Sequence, residues 1–287
     1  MPAEPGGHLR VSPVGTGESK VPEKPQENTS SAPALELRGV NKSFGAVDVL
    51  HDVHFRAYPG QVTALVGDNG AGKSTLIKCL AGIHPIDSGQ YIFAERPVEV
   101  HSPRDAAALG IEVVYQDLAL CDNLDITQNM FLGRERLKGM VLDEATMEEL
   151  ARETLARLSV RTIQSVRQQV ASLSGGQRQT VAIAKAVLWQ SQVVLLDEPT
   201  AALGVAQTKQ VIALVRRLAE AGHAVVFISH NLNDVFAVAD RITTLYLGRM
   251  AADVPAAEVT HSQVVELMTA GRSGEIGLSP AASTDNA

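Results

Sequence analysis

The stretch Thr63–Thr75, TALVGDNGAGKST, decides how the chain is built. A short apolar run, TALVG, reads as a buried strand; it feeds GDNGAGKST, and STLIKCLAG continues as a helix with a glycine stop at Gly82. The octet GDNGAGKS fits the spacing G-x-x-x-x-G-K-[ST], with Gly67, Gly72, Lys73 and Ser74 in the fixed positions. Glycines at that spacing let backbone N–H groups wrap phosphates. Lys73 then places a positive charge between the outer two, and the Ser74 hydroxyl is set to bind Mg²⁺.

Working outward, the strands and helices alternate. LELRGV and VLHDVHFRA alternate in strand fashion from about Ala34, ahead of the turn YPGQ. From Ser102 the pattern is helix (PRDAAALG) and then strand (IEVVYQ). Between about Asp117 and Gln190 the strand signal disappears. There MEELARETLARLSV sets Met147, Leu150, Leu155 and Leu158 on one helical face, with Thr146 and Glu149 spaced as a capping box. After it come strand QVVLLDE, helix VAQTKQVIALVRRLAEAG, strand HAVVFISH, helix NLNDVFAVA and strand RITTLYLG. Such alternation predicts an α/β fold with a parallel sheet covered on both faces, whose ligands sit at the carboxyl ends of the strands.

Three further stretches carry chemistry. VVLLDEP is an apolar strand ending in two carboxylates, Asp197 where a Mg²⁺ ligand is expected and Glu198 where a carboxylate can orient and deprotonate an attacking water. Pro199 biases Glu198 away from helical angles. FISH ends another apolar strand, so His230 emerges on the same edge as Asp197 and is placed to hydrogen-bond the γ-phosphate. The other histidines read as surface or packing residues. Gln116 sits just past IEVVYQ, where its amide can reach the metal or the water. LSGGQRQ, from Leu173, reads as a capped helix start whose two glycines let another molecule approach the backbone, which is an anion site.

Composition narrows the setting. The 287 residues are enough to bury a sizeable core, and a formal net charge of −7 without a dense Lys/Arg run argues against nucleic acid as a partner. Two cysteines, Cys79 and Cys121, make neither a disulfide framework nor a set of soft metal ligands, which points to a reducing, cytoplasmic setting. No apolar run approaches the roughly 18 residues of a membrane span. Residues 1–33, rich in Pro and Gly and carrying Glu4, Glu18, Glu23 and Glu27, read as a solvated tail rather than a secretory signal. The closing GRSGEIGLSPAASTDNA reads as a second loose tail.

Together these residues resemble the nucleotide-binding domain of the ATP-binding cassette family, from about Leu35 to Gly248. The resemblance implies a P-loop NTPase (RecA-like) core with a mostly parallel sheet, an N-terminal antiparallel β subdomain and an inserted α-helical subdomain. It divides the chain into a tail (1–33), a cassette (34–255, with the helical subdomain at about 117–190) and a C-terminal helix with a loose end (256–287). It implies ATP and Mg²⁺ as cofactors, with Phe44 stacked on adenine and Gly67, Asn69, Gly70, Gly72, Lys73, Ser74 and Thr75 around the nucleotide. Ser174, Gly175, Gly176 and Gln177 would contact the γ-phosphate held by a second subunit in a head-to-tail dimer. Ser74, Gln116 and Asp197 form the implied metal set, and Glu198, His230, Gln116 and Lys73 the catalytic set.

The stretches HSPRDAAALGIEVVYQDLALCDNLDITQNMFLGRE and EPTAALGVAQT are similar to ATP-binding subunits of bacterial monosaccharide importers. That class implies a membrane permease received on the segment from Gln116 to about Glu135, an external sugar-binding protein, and a peripheral place on the cytoplasmic face of the membrane. Two departures stand out: Gly204 occupies a position usually held by Asp, and the chain has room for one cassette where many such subunits carry two. The same motifs also suit a transporter ATPase for another solute, or a cassette protein outside transport.

Overall fold

The computed structural model describes residues 32–160 and 162–278; nearly all of the first predicted tail, and the second beyond Leu278, lie outside them. In chain order the elements are β1 (Leu35–Phe44), β2 (Val47–Ala57), β3 (Val62–Val66), α1 (Lys73–Leu80), β4 (Ser88–Phe93), β5 (Arg96–Val98), α2 (Pro103–Ala108) and β6 (Ile111–Val114). Then follow α3 (Ile126–Phe131), β7 (Leu137–Lys138), β8 (Val141–Leu142), α4 (Glu144–Arg157) and α5 (Gly175–Val187). The remainder is β9 (Val193–Asp197), α6 (Val205–Glu220), β10 (Ala224–Ile228), α7 (Leu232–Val238), β11 (Arg241–Tyr246), β12 (Arg249–Pro255), α8 (His261–Ala270), β13 (Arg272–Ser273) and β14 (Ile276–Gly277).

Apolar residues on both faces of the short central strands force them to the middle of the molecule. In β3, Val62, Ala64 and Val66 join one buried cluster while Leu65 joins another. In β9, Val194 and Leu196 face the first and Val193 and Leu195 the second; β10 divides the same way. A strand buried on both faces needs cover on both, which a parallel sheet between two layers supplies. The six-stranded sheet has the order β12-β11-β3-β10-β9-β6, parallel throughout except for β12, which returns antiparallel beside β11. Helices α3 to α7 contribute to the first cluster. The second is covered by α1 and by a four-stranded antiparallel sheet, β2-β1-β4-β5. The alternating strands expected at the amino end are β1 and β2; β4, β5 and β12 were not foreseen.

Two expectations are corrected. Helix α4 begins earlier than the Thr146/Glu149 pair implied: Asp143 is its cap, and its carboxylate accepts the N–H of Thr146 at 3.3 Å and the Thr146 hydroxyl at 2.9 Å. Asp143 has the free lone pairs and the position; Thr146 lies inside the first turn. The segment from Gly271, read as loose, instead closes as the β13–β14 ladder, with Leu278 N–H donating to the Gly271 carbonyl. Gly271 itself ends α8 at φ +73, pressed against the Tyr246 ring.

Candidate functional site

Because β3, β10, β9 and β6 are neighbours and parallel, their carboxyl ends share one edge of the sheet. From those ends leave, in order, the loop of Gly67–Lys73, His230, Asp197 with Glu198, and Gln116. The predicted residues were scattered over more than 160 positions of sequence, and sheet order alone lines them up.

The loop after β3 is held tightly. A Cβ at Gly67 would lie 2.4 Å from the Leu245 carbonyl oxygen at the end of β11, so no larger residue fits. Gly70, at φ +82, is different: nothing stands within 4 Å of where its Cβ would be, so its backbone faces open space in a conformation other residues resist. Lys73 folds its ammonium back over the loop, donating to the carbonyls of Gly67 at 2.7 Å and Asp68 at 2.9 Å. Burial lowers its pKa, against the opposing charges of Glu198, Asp68 and Asp197. Those carboxylates are therefore within electrostatic reach of the loop. Ser74 is exposed and Thr75 partly buried on the first turn of α1, while Asn69 is exposed on the loop, its N–H donating to Asp68 at 2.7 Å.

Asp197 closes β9 in register with Ile228 of β10. Its carboxyl is pushed above the usual carboxylate range, first by burial and then by the charge of Glu198, with Lys73 and Lys78 opposing. A half-buried carboxylate raised by a second one calls for a cation, and among the described residues no cluster of three or more His, Cys, Asp or Glu supplies an all-protein metal cage. That donor set fits Mg²⁺, which keeps waters and phosphate oxygens and needs only one or two protein ligands. Tyr115, which sequence reasoning passed over, sits close enough for burial and then Asp197 to raise its phenol. Its neighbour Gln116 is exposed and makes no hydrogen bond to the carboxylates.

Glu198 Oε2 and His230 Nδ1 are 2.8 Å apart. A carboxylate in its ionised form only accepts, and Nδ1 is then the donor of this bond. Glu198 has φ +49, a left-handed backbone: it leaves right-handed helical angles as Pro199 predicted, but not for extended ones. The His230 ring is thus engaged by Glu198, where the sequence placed it facing a phosphate; donating to both would require hydrogen on both nitrogens.

Phe44 is 44% exposed, which excludes a core role, and it meets His84 edge-on with ring centroids 5.0 Å apart. Lys42 lies over its ring at 5.3 Å, and Asp87 holds Lys42 and Ser43 in place. That brace spans β1 and the start of β4, a pairing with no local sequence signal.

The LSGGQ turn opens α5 as a reciprocal cap: Ser174 N–H donates to Gln177 Oε1 at 2.9 Å, the Gln177 N–H points back to Ser174 Oγ at 3.4 Å, and Gln177 Nε2 donates to the Thr162 carbonyl at 2.7 Å. None of these bonds reaches the loop after β3 or the carboxylates, so within one chain this turn stands apart from the rest. Gly175 is exposed, while Gly176 is buried, with the chain's own Gln207 on the side where a Cβ would stand.

A model of the ABC transporter family matches residues 50–201. The chain is 44% identical to the Fructose import ATP-binding protein of Rhizobium meliloti over 247 residues, covering 84% of this chain and 95% of that one. It is 43% identical to the Xylose/arabinose import ATP-binding protein of Sulfolobus acidocaldarius over 244 residues, covering 85% and 97%. Among solved structures, a nucleotide-free ATP-binding cassette from an ABC transporter superposes with a TM-score of 0.74 at 24% identity, over 82% of this chain and 98% of the other.

Proposed function

Because the chain belongs to the ABC transporter family, we propose that it is the ATP-hydrolysing, energy-coupling subunit of a monosaccharide importer. It works as a head-to-tail pair of cassettes beneath a membrane permease, on the cytoplasmic face, and an external sugar-binding protein delivers the solute. The observation that carries the reading is the gathering of Lys73, Asp197, Glu198 and His230 on one sheet edge. Likeness to two sugar-import relatives along 95% and 97% of their lengths supports the transport half. No helix among the described residues is long and apolar enough to cross a membrane.

In this reading the backbone of residues 67–75 holds the phosphates, Phe44 takes the adenine, and Lys73 leaves the loop carbonyls for the outer phosphates. Ser74, Asp197 and Gln116 would hold Mg²⁺, which would supply charge neutralisation at the transferring phosphoryl group. Glu198 accepts the proton of the attacking water. His230 holds that carboxylate in place and changes partner when a phosphate arrives. Ser174, Gly175 and Gln177 serve the partner's γ-phosphate, so closure of the pair depends on ATP and hydrolysis removes the bridge. A swing from 1:99 to 99:1 in such an equilibrium takes about 5.5 kcal/mol of differential binding.

The test is to tag the chain in its own cell, solubilise membranes gently and identify what co-purifies. A multispan permease with a sugar-binding protein is the expected result. Recovery from the soluble fraction alone, or with ribosomes or DNA-repair proteins, sinks the transport reading and leaves the ATPase.

A further inference from the structure

We propose that Gln207 is a positioning residue that locks the loop following Glu198 to the turn that opens α5. In one chain, the strand end bearing Glu198 and the turn bearing Ser174 then move as one body. The inference rests on the paired-cassette reading above and adds to it a specific physical joint.

Two observations meet at Gln207. A Cβ at Gly176 would lie 3.1 Å from both Cβ and Cγ of Gln207, and one at Gly175 would lie 3.2 Å from Leu203 Cδ2. The start of α5 therefore rests on the segment 203–207 as closely as packing allows, and Gly176 is buried by that contact. In addition, Gln207 Oε1 accepts the Gly204 N–H at 3.3 Å. Gly204 caps α6 without a side chain, and the Gln207 amide adds a side-chain tie between this helix start and its cap. The loop is itself stiff from its beginning. Glu198 N–H donates to the Ile228 carbonyl at 3.0 Å, Ala201 N–H to the Glu198 carbonyl at 3.1 Å, Leu203 N–H to the Thr200 carbonyl at 3.3 Å, and Thr208 N–H to the Gly204 carbonyl at 2.9 Å. Backbone hydrogen bonds thus brace 198–201, 200–203 and 204–208 of the segment that runs from Glu198 to Gln207, and the packing of Gln207 carries on to the glycine two residues after Ser174.

The test uses the full chain carrying Glu198→Gln, with MgATP, and reads three quantities: ADP affinity at the chain's own loop, ATP-dependent dimer formation by light scattering, and melting temperature. Gln207→Ala and Gln207→Met should weaken ATP-dependent dimerisation about five- to tenfold, the size of one lost hydrogen bond, with ADP affinity and melting temperature unchanged. Gln207→Glu, which keeps the stem and the acceptor, should restore it. Gly176→Ala should abolish dimerisation, and the Gly176→Ala, Gln207→Gly double variant should lose no more than Gln207→Gly alone, because only removal of both Cβ and Cγ at 207 gives the methyl room. The Met and Glu variants decide the question if Gly176→Ala does not fold. Dimerisation equal to the parent in Gln207→Met, losses that simply add in the double variant, or ADP affinity falling in parallel all overturn the proposal while leaving the paired-cassette reading intact. A parent that never dimerises with ATP overturns both.

Discussion

Asp197 shows what a half-buried carboxylate at a strand end costs its own fold. Its folded pKa is raised by burial and by Glu198, so in acid the native chain binds a proton there that the unfolded chain has already lost. Stability therefore falls as pH rises out of the ordinary carboxylate range toward the raised value, and at neutral pH the full penalty is present. Asp197→Asn should melt higher than the parent by roughly 2 °C at neutral pH without nucleotide, and the difference should vanish below pH 4. Thermal melts across that range check the sign. The same variant should hydrolyse ATP poorly and gain less from MgADP than the parent does, because the site that lacked a cation no longer calls for one. Asp197 and Glu198 were legible in the sequence, as an apolar strand ending in two carboxylates. The left-handed backbone of Glu198 and the engagement of His230 were not, because both arise where the end of β9 meets the end of β10 across the sheet.

The elements differ in how much they declared of themselves. The parallel strands of the core were readable because burial on both faces writes a continuous apolar run. β4 was missed because half its residues face solvent and its pairing with β1 is long-range, and β12 because only two of its seven residues are buried, which leaves no apolar alternation to read. The β7–β8 hairpin is only two residues a side, too short to carry a period. Helix α4 was found by its apolar face, yet its start was misread, since Thr146 and Glu149 have capping spacing and Asp143 has the actual bonds. This yields a direct contrast: Asp143→Ala should cost about 1 kcal/mol and Thr146→Ala a few tenths, measured by urea unfolding. A brace of different consequence joins β1 to β4. Asp87, held at about 2 first by the Lys42 hydrogen bond and then by those of Ser43, keeps Lys42 over the Phe44 ring. Its stabilisation is complete above the ordinary carboxylate pKa and is lost only as pH falls toward 2. Asp87→Ala should therefore raise KM for ATP severalfold at every pH from 5 to 8 and leave kcat alone. A change in kcat with constant KM would separate Phe44 from adenine binding.

For the whole molecule, a paired cassette must bring together two copies of a chain that carries 25 Lys and Arg against 32 Asp and Glu. Each contributes a net charge of −7, and the bound nucleotides add more of the same sign. In the proposed pair, attraction would come at short range, from phosphates held between residues 67–75 of one copy and the α5 turn of the other. Repulsion comes from the overall charge, acts across tens of ångströms at low salt and is cut off beyond about 10 Å at 0.1 M. Only the repulsion reaches far enough to be screened over this range of salt, so it should set the trend. ATP-dependent dimerisation of the Glu198→Gln chain should strengthen as NaCl rises from about 10 mM to about 150 mM and change little beyond, since the Debye length is by then near 8 Å. Light scattering at fixed MgATP and varied salt makes the measurement. Weakening over that range would mean that attractive pairs across the interface outweigh the net charge. Charge reversal at exposed residues around the α5 turn would then locate them.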